Sequence, residues 1–165
     1  MEGAKDLANR DKYQFQWWAC SLINAQPYQG KKKGADSGID GQIFFTDTEK
    51  GKSTIKKIIV SVKGGGNVGA AMVRDLVGTM QRTKAEIGLF VTLTPPTKPM
   101  EKEAATAGFY KAVNGLEYPC IQILTIEDLL TGRKQPSYYD MSMGELTFKK
   151  AQREYREVAE QGRLF

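Results

Sequence analysis

From Tyr13 to Ala25 the chain reads YQFQWWACSLINA, apolar almost all round, which predicts a helix packed on two sides. Residues 27–41 (PYQGKKKGADSGIDG) collect Pro, Gly and successive lysines, which is loop chemistry. Two β-rich runs follow, 39–46 and 54–63. The polar stretch DTEKGKS between them, with its single Gly, predicts an antiparallel hairpin. After Lys63 the glycine-rich GGGNVG leads into 70–84, where Met72, Val73, Leu76, Val77 and Met80 recur at helical spacing. One side of that helix should cover a sheet. The short apolar run IGLFVT (87–92) fits a central strand buried on both faces. Thr97 can cap a short helix with Pro99 in its first turn and Gly108 just past its end, and CIQIL (120–124) reads as a further strand. Thr125 and Asp128 form a capping-box-like start for EDLL, which stops at Gly132. Residues 133–141 read as a linker. Ser142 and Glu145 then open a charged helix with Phe148, Ala151, Tyr155 and Val158 on one face. The order α-β-β-α-β-α-β-α predicts an α/β fold, a mixed β-sheet core flanked by helices. The division expected is a domain over 1–132, then a linker and C-terminal helix over 133–165.

Composition narrows the chemistry. The 165 residues contain no histidine, so imidazole bases, histidine triads and histidine zinc sites are excluded, and acid-base work falls to carboxylates, lysine or tyrosine. Cys20 and Cys120 show neither zinc-site spacing nor a disulfide framework, so a reducing, cytoplasmic setting is expected. There is no apolar run of roughly 18 residues, and the N-terminus lacks the apolar core of a signal peptide. The net charge of +5 permits a polyanionic partner without requiring one.

Candidate chemistry gathers where the hairpin closes. If the turn lies near 49–51, Asp40 stands opposite the stretch Val60 to Lys63 at the rim of the sheet. Strand alternation then puts Ser61 and Lys63 on one face and Val60 and Val62 on the other. An Asp, a hydroxyl and an ammonium can share that patch; an incidental Asp–Lys pair at a solvated strand end is the plainer reading. Gly64, Gly66 and Gly69 also fit the dinucleotide-binding spacing G-x-G-x-x-G, with Glu86 about twenty residues on. Against a dinucleotide, the preceding strand reads as the second arm of a hairpin and ends in a lysine.

GADSGIDGQIFF followed by KKIIVSVKGG resembles the core of the PD-(D/E)xK nucleases, and more narrowly the Mrr-type group, whose pattern is Gly-Ile-Asp, a hairpin, and a strand ending in x-Val-Lys. The resemblance runs over about residues 12 to 130. IGLFVTLTPPTKPMEKEAATAGFY and IQILTIEDLL are similar to later elements of nuclease domains appended to DNA methyltransferases. It implies a restriction-endonuclease-like fold and a Mg²⁺-dependent DNA endonuclease of the restriction or defence type, with Mn²⁺ as an alternative ion. Asp40 and the backbone carbonyl of Val62 would be metal ligands, and Lys63 would orient or help deprotonate the attacking water and stabilise charge at the scissile phosphate. Ser61 departs from the acidic residue or Gln usual at its position, a weaker ligand that puts metal affinity and activity in doubt. Asp36 matches a recurrent Asp and is either a ligand through water or an Asx-turn residue. Gln16 lies where some relatives carry a Glu directed at the metal, or is simply the polar face of its helix. Lys31, Lys32 and Lys33, with Gly64, Gly65 and Asn67 at the glycine-rich helix start, would hold DNA phosphates. The partners implied are duplex DNA, a methyltransferase domain or subunit, and a second copy of the chain. The rival function is a DNA-binding or regulatory module that kept the fold and lost efficient catalysis.

Overall fold

The hairpin forms and extends further than its apolar runs. In the computed structural model, which describes residues 1–28 and 38–139, β2 (Gly41–Glu49) pairs antiparallel with β3 (Lys52–Lys63), from Gly41 opposite Val60 to Glu49 opposite Lys52. Lys50 and Gly51 make the turn with φ of 53° and 78°. Two successive positive φ values define the tight turn whose twist matches paired strands, and glycine takes its half of it without strain. The polar segment read as a spacer is therefore strand almost to its tip, because cross-strand pairing recruits residues with little β preference of their own.

Around the hairpin lie α1 (Glu2–Arg10), α2 (Lys12–Leu22), the two-residue β1 (Gln26–Pro27), α3 (Ala70–Thr83), β4 (Ile87–Thr92), α4 (Lys98–Thr106), β5 (Phe109–Lys111), β6 (Glu117–Pro119), β7 (Ile121–Thr125) and α5 (Ile126–Thr131). The main sheet has the order β1-β2-β3-β4-β7, antiparallel through β3 and parallel from β3 to β7. All of β4 is buried, as a strand covered on both faces must be. One face carries Ile43, Phe45, Ile58, Val60, Val62, Leu89 and Val91 against α1, α2 and α5. The other carries Ile59, Phe90 and Ile121 against Val73, Leu76 and Met80 of α3 and Met100 of α4. Helix ends follow local chemistry: Thr97 accepts from the Met100 amide at 3.4 Å, Thr125 accepts from the Asp128 amide at 3.0 Å, and Gly132 closes α5 with a left-handed φ of 71°. No described helix is long and apolar enough to cross a membrane.

Three elements differ from the sequence reading. Helix α1 precedes the expected first helix, its Ala4 buried in the core and Leu7 and Ala8 packed against it. Asp11 separates the two helices and caps α2, accepting from the Tyr13 and Gln14 amides at 3.1 Å each. The loop expected from residue 27 begins with a strand, since Gln26 and Pro27 pair with β2. The small β5–β6 hairpin has no strong alternation in its sequence and is held from outside. Buried Asp47 of β2 accepts hydrogen bonds from the Tyr110 hydroxyl and the Val113 amide. Past α5, Ser137 and Gln122 exchange two hydrogen bonds of 2.6 and 2.8 Å, and Tyr138 packs on Phe45. The C-terminal helix expected from Ser142 lies outside the described residues.

Burial and the hydrogen bond to Asp47 raise the Tyr110 phenol above its ordinary range. The unfolded chain ionises near pH 10. Folding favours the neutral phenol, so this contribution is complete below about pH 10 and is lost as pH rises beyond it. Tyr110→Phe should flatten the alkaline fall in melting temperature, and Asp47→Ala should cost about 1–3 kcal/mol at neutral pH by leaving buried donors unpaired, both read by thermal melts.

Candidate active site

Asp40 stands just before β2 and closes the free edge of β3. Its backbone amide donates to the Val60 carbonyl at 2.8 Å, and its carboxylate Oδ2 accepts from the Val62 amide at 2.7 Å. Its own carbonyl receives the Tyr28 amide at 3.0 Å and the Cys20 thiol at 3.7 Å. Backbone groups along a strand alternate edges, so the Val62 carbonyl faces the same edge as its amide, toward the Asp40 carboxylate. On the opposite edge the Lys63 carbonyl accepts from the Leu93 amide at 3.2 Å.

An open cleft of about 430 Å³ sits at this strand end, lined by Lys12, Tyr13 and Gln16 of α2, by Gly38 and Asp40, and by Val62 to Gly65, with Asn67, Val68 and Met72. Asp40 is 8% exposed and Gln16 only 4%. The tertiary structure thus gathers Gln16, Asp40, Val62, Lys63, Gly64, Gly65 and Asn67 around one cavity. Ser61, 4% exposed, lines an adjoining cavity of about 380 Å³ along α3, with Arg74, Asp75, Thr79 and Arg82; Lys63, Gly38 and Met72 border both. Among the described residues no carboxylate pairs with the Lys63 ammonium. Lys31, Lys32, Lys33 and Asp36 lie outside the described residues.

Lys12, Tyr13, Val68 and Met72 also line the cleft, though the sequence reading did not single them out as site residues. Once Gln16 is a candidate, helical geometry points to Lys12 and Tyr13, one turn back on the same face. Among the described residues no group of three acidic or sulfur side chains gathers to hold a metal. The cleft instead offers one carboxylate with amide and peptide oxygens. That donor set fits a hard cation that keeps much of its water, and not a thiophilic one.

The surroundings of the glycine-rich segment speak against a dinucleotide site, though β3 itself does not. Strand β3 is both the second arm of the hairpin and the first strand of a parallel β3–α3–β4 crossover. The weight falls on other residues. A Cβ at Gly64 would meet the Phe15 ring at 2.9 Å and Ala8 at 3.0 Å, so that glycine is set by helix packing. The Glu86 carboxylate accepts from the Lys57 amide at 2.9 Å and faces Lys56 at 3.9 Å, which commits it to the middle of β3, away from the glycine-rich segment.

This architecture is that of the restriction endonucleases. The MspJI restriction endonuclease, solved in complex with a 27-mer oligonucleotide, has a TM-score of 0.55 and 16% identity over 78% of this chain. The DNA modification-dependent restriction endonuclease AspBHI gives 0.53 and 17% over the same share. The chain spans 29% and 32% of those two chains. No curated protein matches it. The chain belongs to the Mrr_cat restriction endonuclease family, which matches residues 7–128.

Because Gly64 lets α1 and α2 close on the cleft floor, Gly64→Ala should push Phe15 away and lower stability by about 1–3 kcal/mol in denaturant titration. Gly65→Ala, where no atom lies within 4 Å of the added Cβ, should cost far less.

Proposed function

We propose that this chain is the nuclease domain of a Mg²⁺-dependent DNA endonuclease of the restriction or defence type, hydrolysing phosphodiester bonds of duplex DNA. The observation that carries this reading is the meeting of Asp40, Val62 and Lys63 at one strand end, over an open cleft, in a chain of the Mrr_cat family. Asp40 and the Val62 carbonyl would hold the ion, with the Gln16 amide oxygen beside them. Bound there, Mg²⁺ supplies positive charge to the phosphate oxygens and a more acidic water, which suits a site without histidine.

The chain's own groups carry the rest of the mechanism. The Val62 amide fixes the Asp40 carboxylate. Lys63 reaches the cleft as an ammonium that orients the attacking water and stabilises charge at the scissile phosphate. The water oxygen forms the new bond to phosphorus as one ester P–O bond breaks, and the proton that the water gives up is balanced by the one taken up by the departing oxygen. Gly64, Gly65 and Asn67, just before α3, offer backbone amides to a flanking phosphate. Residues 1–132 would form the catalytic unit, with 133–165 as linker and C-terminal helix. Since the chain spans about a third of the restriction endonucleases it resembles, site recognition belongs to a further domain, a methyltransferase or a second copy.

Ser61 favours a second reading, a DNA-binding module of the same fold with impaired catalysis. It stands where the resemblance expects an acidic ligand or Gln, and it leaves Asp40 as the only carboxylate lining the cleft among the described residues.

A plasmid-cleavage assay with and without Mg²⁺ separates the readings. Asp40→Asn, which can keep the Val62 bond, and Lys63→Ala should each lower Mg²⁺-dependent cutting at least roughly a hundredfold with melting temperature little changed. Parental rates in both variants would overturn the assignment, and no cutting by the parent would favour the second reading.

The cavity of about 380 Å³ beside Ser61 gives room for a longer side chain. Ser61→Glu should tighten Mg²⁺ binding to the free protein roughly tenfold in calorimetry. Unchanged affinity would remove position 61 from the ion's surroundings.

A further inference from the structure

Helix α2 spends its surface unevenly. Phe15, Ala19 and Cys20 enter the core and Gln16 enters the cleft, yet Tyr13 is 64% exposed and Trp17 58%. The two rings are one turn apart on the same helical face. Large aromatic surface left in water beside a functional cleft marks a contact site. Tyr13 itself lines the cleft, next to Lys12 and across from Asp40, Lys63 and the amides before α3. The aromatic pair is therefore continuous with the surface that receives a phosphodiester in the reading above, and Lys12 brings the positive charge that a nucleic-acid strand needs.

We propose that Tyr13 and Trp17 form a stacking platform for an unstacked base of the strand whose phosphate enters the cleft; this rests on the nuclease reading. Bases inside a perfect duplex have both faces covered by neighbours, so only a mismatched, gapped, flipped or single-stranded base can use the rings. The platform makes the cleft a reader of local disruption in DNA, a preference that the metal and Lys63 alone would not produce.

The chain has two tryptophans, and Trp18 packs against Phe15 in the core, so Trp18→Phe leaves Trp17 as the sole fluorescent indole. Titration in EDTA, where nothing is cut, with a single-stranded oligonucleotide, a gapped duplex and a perfect duplex should quench Trp17 strongly with the first two and weakly with the third. Tyr13→Ala and Trp17→Ala should each weaken single-strand binding roughly tenfold, while perfect-duplex binding changes less than about threefold, and Trp17→Phe should restore most of the loss. Equal quenching and equal weakening across all three DNAs, or no quenching by any of them, overturns the platform. Burial of Trp17 that follows protein concentration and ignores DNA also overturns it, marking a contact between copies instead. Quenching retained by a parent that never cuts with Mg²⁺ supports the platform and removes the nuclease reading; Mg²⁺-dependent cutting without quenching does the reverse.

Discussion

The two-point attachment of Asp40 to β3 is the constraint on which the site depends. One residue pairs its amide with the Val60 carbonyl and its carboxylate with the Val62 amide, so the side chain continues the ladder where the backbone of the neighbouring strand has turned away. A hydrogen bond to a charged acceptor in a buried setting contributes about 1.5–3 kcal/mol. It also aligns the carboxylate with the edge of β3 to which the Val62 carbonyl points. The bond that finishes the sheet thus holds Asp40 in the lining of the cleft.

That arrangement needs a stiff frame. Strand β3 is clamped between an antiparallel partner and a parallel one, with helices covering both faces of its end. On one side α2 packs Phe15 beside Gly64 and brings Gln16 and Tyr13 to the cleft wall. On the other, α3 starts just past the glycine-rich turn, and its residues from Met72 to Arg82 flank the cavity that holds Ser61. Lys63, last in the strand, borders both the cleft that Asp40 lines and the cavity that Ser61 lines.

The opposite end of the same hairpin is held by different means. Asp47 is buried there and satisfied by Tyr110 and Val113 from a hairpin formed more than sixty residues later in the chain. Lys56 joins Glu49 and Glu86, and Glu86 also takes the Lys57 amide. Near the turn of the hairpin, polar groups of β2 and β3 are thus committed to partners from later in the chain, while at its open end Asp40 is tied to β3 itself.

The periodic elements are legible in the sequence. Apolar spacing marked α2, α3 and β4, turn chemistry marked the β2–β3 hairpin, and Thr-based caps marked α4 and α5, because these signals are local and repeat with the geometry of the backbone. The resemblance carried on Gly-Ile-Asp and Val-Lys named the family and the residues at the hairpin's open end. Tertiary structure alone decided what had no local signal. Strand β1 is two residues paired to the edge of β2, and the β5–β6 hairpin depends on a carboxylate far away in sequence. It also decided that Gln16 and Tyr13 share a cleft with Asp40 while Ser61 opens onto the neighbouring one. Those distances follow from packing Phe15 against Gly64 and α3 against the sheet, and close packing between distant segments leaves no periodic trace in either of them.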